Sequence, residues 1–198
     1  MQRILFVTGC IREEQSRSLR LARHFLESYR QSHPEAEIAT VDLPRMNLSP
    51  LDPDSLRQRD QALGQWNDPV FDLARQFRDA DLLVIAAPFW NGSFPACVHT
   101  YLEHICVPGL TFDCEDDRYI GLCSAKNCVL VTTRGGRYDG GVNMLGDELA
   151  TPILKAIMTM VGVPRVSTLA AEGLDLPSPT DPLQTAMAEA AQLAQTLA

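Results

Sequence analysis

Three short stretches carry the residues best suited to hold a small molecule. The first is Gly9-Cys10-Ile11-Arg12-Glu13-Glu14-Gln15-Ser16-Arg17-Ser18. It has neither the GxGxxG of a dinucleotide fingerprint nor the GK[ST] of a P-loop. It does have a hydroxyl-rich turn, Ser16-Arg17-Ser18, where a helix is expected to begin. Free N–H groups and the positive end of a helix attract an anion, and two hydroxyls add donors, so this turn suits a monophosphate. Plain N-capping by either serine is the competing explanation. The second stretch is Pro88-Phe89-Trp90-Asn91-Gly92-Ser93-Phe94-Pro95, which concentrates aromatics in a chain that is only 7% aromatic. Aromatics beside Asn91 and Gly92 suit a flat heteroaromatic ring with a polar edge. Core packing competes for Phe94 and Phe89. The third stretch is Thr132-Thr133-Arg134-Gly135-Gly136-Arg137-Tyr138-Asp139-Gly140-Gly141. Its glycines let the backbone approach a ligand and present N–H groups, while Gly140-Gly141 also fits a simple turn.

The elements that must position these stretches follow from hydrophobic periodicity. Residues 3–8, 37–43, 81–88, 127–133 and 165–170 are apolar, β-rich runs. Near-continuous apolar character, strongest in Asp81-Leu-Leu-Val-Ile-Ala-Ala-Pro88, marks strands covered on both faces. Between them lie helical patterns: Leu19, Ala22, Phe25, Leu26 and Tyr29 on one face, a helix over about 69–80, another over 94–106, one over 146–161 with Leu149, Ile153, Ile157 and Met160 on one face, and an Ala-rich closing helix over 181–197. Residues 44–64 read as a long surface excursion and residues 107–125 as loop. Alternating strands and helices predict an α/β, doubly wound, five-stranded parallel sheet in the order 2-1-3-4-5 with helices on both faces. The whole chain, residues 1–198, then forms one domain. Ligands of such sheets sit outside the carboxyl ends of the strands, where all three stretches fall. One ligand that needs a phosphate grip, an aromatic wall and a glycine-lined polar edge is flavin mononucleotide (FMN).

Composition narrows the classes. The chain carries 17 Lys+Arg against 25 Asp+Glu, a formal net charge of -8, with 45% hydrophobic residues. An acidic balance argues against nucleic acid, whose binding needs clustered cations. No apolar run approaches the ~20 residues of a membrane span, and Ile4 to Val7 is too short for a secretory core, so a cytoplasmic protein is expected. The six cysteines form no CxxC pair, which makes a zinc site improbable; a set of Cys97, His99 and Cys106 is the remaining metal alternative. A hydrolase is disfavoured by the absence of a GxSxG elbow.

As a set, the motifs resemble the FMN-dependent NADH azoreductases, a branch of the flavodoxin-like NAD(P)H:quinone oxidoreductases. The matching stretches are Ser16-Arg17-Ser18, AAPFWNGSFPA at 86–96, GLTF at 109–112, VTTRGG at 131–136 and AAEG at 170–173. The resemblance implies that Cys10, Ser16, Arg17 and Ser18 contact the FMN phosphate. It implies that Phe89, Trp90, Asn91 and Gly92, with Thr133, Arg134, Gly135 and Gly136, hold the isoalloxazine ring. NADH or NADPH would be the electron donor, and a quinone or azo compound the acceptor, in two successive transfers over one flavin. The family often has Ser where Cys10 stands. Gly92 and Cys114 replace bulkier residues found in some members, changes that fall on the acceptor side. No catalytic side chain is expected, because the flavin carries the chemistry. A homodimer is implied by the family's habit of closing the flavin pocket with a partner subunit. The alternative from another class is a flavin-holding electron carrier without turnover of its own.

Overall fold

The computed structural model describes residues 2–138 and 147–197; Asp139, Gly140 and Gly141 of the third stretch lie outside them. Five strands form one parallel sheet: β1 (Arg3–Thr8), β2 (Glu37–Asp42), β3 (Leu82–Ala86), β6 (Asn127–Thr133) and β7 (Arg165–Ala171). Their order is β2-β1-β3-β6-β7. This is the expected flavodoxin-like order, once a separate hairpin of β4 (Phe112–Glu115) and β5 (Arg118–Gly121) is set aside.

Alternation along the strands divides the core in two. Leu5, Val7, Leu83, Ile85 and Leu130 face one way, toward α5 (Ala96–Ile105) and α6 (Ala150–Met160). Ile4, Phe6, Leu82, Val84 and Val131 face the other way, toward α1 (Arg17–Ser32) and α7 (Pro182–Thr196). The expected α1 stripe of Leu19, Ala22, Phe25, Leu26 and Tyr29 is buried throughout. Ala186, Ala190 and Ala194 of α7 are buried against the same cluster, where small side chains permit close helix approach. Val98, Tyr101, Leu102 and Ile105 of α5 are core residues of this chain.

Three regions depart from the sequence reading. The excursion at 44–64 contains helix, a short turn α2 (Leu43–Met46) and then α3 (Pro53–Gln61). α3 is started by a reciprocal cap between Asp52 and Ser55 and by Pro53 in the first turn. It buries no residue, so it offers no apolar periodicity to read. The helix expected over 69–80 splits into a 3-10 turn, Pro69–Phe71, and α4 (Asp72–Asp79). The loop expected at 107–125 holds the β4–β5 hairpin, whose strands are almost wholly exposed. Its tip, Asp116-Asp117, has both residues at left-handed φ (47° and 58°), the backbone a two-residue hairpin requires. The hairpin lies on the end of α6: a Cβ on Gly121 would sit 2.0 Å from the Gly162 nitrogen. At α6 the buried residues are Ala150, Leu154 and Met158, whereas Leu149 precedes the helix and is 48% exposed.

Candidate active site

The carboxyl ends of β1, β3 and β6 open on a cleft with about 650 Å³ of empty space reaching out to solvent. At one end, Ser16 caps α1: its backbone is extended and its side chain accepts from the Leu19 N–H at 3.3 Å. Arg20 donates its N–H to the Ser16 carbonyl. Among the described residues this leaves the N–H groups of Arg17 and Ser18 without a partner. A capped helix end with two open donors can hold an anion. Arg12, Gln15, Ser16 and Arg17 line this end of the cleft.

The two hydroxyls of the turn have different surroundings. Ser16 lines the cleft, but Ser18 is fully buried and its Oγ lies 2.8 Å from Thr133 Oγ1. That bond ties the start of α1 to the end of β6. Cys10 is also buried; its thiol points at the Ala86 carbonyl at 3.6 Å, and its N–H donates to Thr8 Oγ1. Burial raises the Cys10 thiol above its ordinary range, opposed by hydrogen bonds from Ser16 and Thr8. Cys10 is therefore a neutral thiol beneath the turn. Arg17 reaches across the cleft to Asp175 at 3.0 Å, an exposed pair worth little to stability.

At the other end, Phe89 and Trp90 line the cleft together with Thr133 and Gly135. The Phe89 N–H donates to the Thr133 carbonyl, which aligns the two loops. Trp90 and Ser93 exchange backbone hydrogen bonds, both 2.9 Å, around Asn91 and Gly92 at φ 50° and 79°. Asn-Gly is the pair that best accepts such a turn, so Asn91 and Gly92 shape the rim behind Trp90. The N–H groups of Gly135 and Gly136 have no partner among the described residues. Gly135 also passes close to Asp175, whose carboxylate would be 2.3 Å from a Cβ there.

Arg134 stands apart from the other expected site residues. It is buried, paired with Glu148 and Glu172, and its guanidinium lies 5.3 Å from the Phe89 ring centre and 5.6 Å from that of Tyr138. Its side chain therefore backs the aromatic wall from inside the protein. Sequence reasoning missed Arg12, Gln15, Pro88 and Asp175 as lining residues; Arg12, Gln15 and Pro88 stand inside the stretches already singled out, and Asp175 stands two residues beyond AAEG. His99 contacts Ser93 Oγ and His104 contacts the Ser49 carbonyl. Among the described residues no group of His, Cys, Asp or Glu can hold a metal ion.

The family described as having a flavodoxin-like fold matches residues 2–197. An "FMN-dependent NADH:quinone oxidoreductase 2" of Clostridium acetobutylicum is 35% identical over 178 residues, covering 89% of this chain and 88% of that protein. The chain belongs to this flavodoxin-like oxidoreductase family. A family member from Coprothermobacter proteolyticus, an "FMN-dependent NADH:quinone oxidoreductase", is 32% identical over 98% of this chain and 99% of its own length. Among solved structures of the family, an azoreductase from Bacillus anthracis superposes with a TM-score of 0.88 at 28% identity, each chain fully covered.

Proposed function

We propose that this chain is an FMN-dependent NADH:quinone oxidoreductase whose cofactor lies in the cleft at the carboxyl ends of β1, β3 and β6. The observation that carries the reading is the paired construction of that cleft. A helix start with open N–H groups stands at one end, and an aromatic wall with a glycine backbone edge at the other. The donor set fits FMN: an anion grip and a flat apolar surface within one opening. The names of relatives at 35% and 32% identity support FMN and NADH, and the azoreductase neighbour supports azo compounds as further acceptors.

In this reading the N–H groups of Arg17 and Ser18, the Ser16 hydroxyl and Arg12 hold the phosphate. Phe89 and Trp90 wall the ring, and Thr133, Gly135 and Gly136 face its polar edge. FMN, when bound, supplies a two-electron carrier that is loaded by NADH and emptied by the acceptor. The protein contributes placement and charge. The open N–H groups of Gly135 and Gly136 stabilise negative charge at the pyrimidine edge without a proton-transferring side chain. Ser18 and Cys10 act from below, by fixing the turn that presents the N–H groups. Asn91 and Gly92 act by fixing the rim.

A homodimer in the cytoplasm completes the proposal. The cleft is open on its solvent side, and exposed apolar side chains surround the fold at Leu149 (48%), Tyr119 (64%) and Ile120 (39%). Leu149 donates its N–H to the Gly92 carbonyl beside the rim, where a second subunit would cover both. No described helix is long and apolar enough to cross a membrane. The activity is tested anaerobically on FMN-loaded protein: NADH bleaches the visible flavin bands and a benzoquinone restores them. Bands that persist in NADH would leave only a flavin-holding module.

A further inference from the structure

The cluster behind the aromatic wall is charged, buried and unused by the chemistry above. The side chains of Arg134, Glu148 and Glu172 are 6%, 15% and 14% exposed. The guanidinium pairs with Glu172 and, at 3.4 Å, with Glu148. Each carboxylate also accepts a backbone N–H: Glu172 from Tyr138 and Glu148 from Thr151, both at 2.9 Å. The cluster therefore sets two carboxylates against one guanidinium. A buried ionic cluster is weak evidence for a role in stability, because packed apolar side chains often hold a fold as well. Arg134 lies 5.3 Å from the centre of the Phe89 ring, and Phe89 and Gly135, the residue next to Arg134, both line the cleft.

We propose that Arg134, Glu148 and Glu172 form a charge-setting cluster. Its surplus negative charge disfavours the reduced, more negative form of the cofactor and lowers the reduction potential of the site. Arg134 has the further task of holding the Phe89 wall and the Tyr138 ring in place, as a positioning residue. The inference rests on the FMN reading of the cleft. It makes the site a stronger reductant toward acceptors and a weaker oxidant of NADH. One charge behind the aromatic wall is expected to change the relative affinity for reduced and oxidised FMN by about tenfold.

The test is the midpoint potential of bound FMN in wild type, Glu172→Gln, Glu148→Gln and Arg134→Lys, with FMN affinity measured separately on each. Both Gln variants remove one negative charge while keeping the side-chain shape. Each is expected to favour reduced FMN about tenfold, a rise of ~30 mV for a two-electron couple. Arg134→Lys keeps the charge but loses the planar fork; it is expected to release FMN faster with little change in potential. A rise in either folded Gln variant, without a matching rise in Arg134→Lys, supports the proposal. Unchanged potentials in FMN-loaded Gln variants overturn it, and so does an equal rise in Arg134→Lys, which would trace the potential to loop geometry. Wild-type protein that takes up no FMN would instead remove the site reading beneath it.

Discussion

The two ends of the cleft are built on different principles. At the α1 end of the proposed site the main grip is backbone N–H, helped by the Ser16 hydroxyl and Arg12, and the side chains beneath it are structural. Ser16 caps the helix, Ser18 is locked to Thr133, and Cys10 is sealed under the turn. At the ring end of the proposed site the larger surface is made of side chains, Phe89 and Trp90, held by a buried ionic cluster and a tight Asn91-Gly92 turn, with the Gly135 and Gly136 backbone only at its edge. An anion grip made of backbone tolerates side-chain change but not loss of an N–H. A side-chain wall has the opposite sensitivity.

Substitutions at four positions can break or sharpen that contrast. The largest effect is expected from Arg17→Pro. Arg17 is the first residue of α1, where proline is compatible with the helix, and Ser16 before it is already extended. The variant deletes one open donor to a charged acceptor, so FMN affinity measured by fluorescence quenching falls ~30-fold. Arg17→Ala, measured in parallel, falls far less if the backbone is the grip. Next is Trp90→Ala, expected to weaken FMN about tenfold and to shift the visible flavin bands; Arg17→Pro leaves those bands in place. Ser18→Ala comes third. It strands the buried Thr133 hydroxyl and costs about 1–2 kcal/mol of stability in urea unfolding, with FMN affinity changed less than about threefold. The smallest effect belongs to Cys10→Ser. Its thiol faces the Ala86 carbonyl, so a hydroxyl there satisfies the same acceptor and FMN affinity stays within about twofold. A large gain from Cys10→Ser would mean that position 10 touches the phosphate through its side chain.

The same contrast explains what could be read beforehand. The parallel sheet was legible because strands covered on both faces, such as Leu82–Ala86, are apolar without interruption. The start of α1 was legible as a hydroxyl-rich turn, but only the structure divides its serines into one that lines the cleft and one that is buried. Arg134 was expected to hold the ring on the resemblance of VTTRGG alone. Its inward turn depends on Glu148 and Glu172, partners that no local pattern brings together. The β4–β5 hairpin escaped for a different reason. Its strands are short and exposed, and its Asp116-Asp117 tip lacks the glycine that usually announces a two-residue turn. α3 had a readable cap at Asp52-Pro53-Asp54-Ser55 but no buried face to make a periodic stripe.

Burial also fixes the alkaline limit of the fold. Cys123 and Cys128 are pushed up to about 12 by desolvation, Cys106 to about 11. These groups ionise more easily in the unfolded chain, so their contribution is complete below the ordinary thiol range. It is lost as pH rises from about 9 toward 12. Urea midpoints are expected to hold through neutral pH and then fall across that window.

The central claim is that the phosphate end of the cofactor is gripped by the start of α1. Calorimetric titration of cofactor-free protein with FMN and with riboflavin, which lacks only the phosphate, tests it most directly. Two or three charge-assisted bonds predict that FMN binds at least about a hundredfold more tightly. Equal affinities for the two would contradict the account.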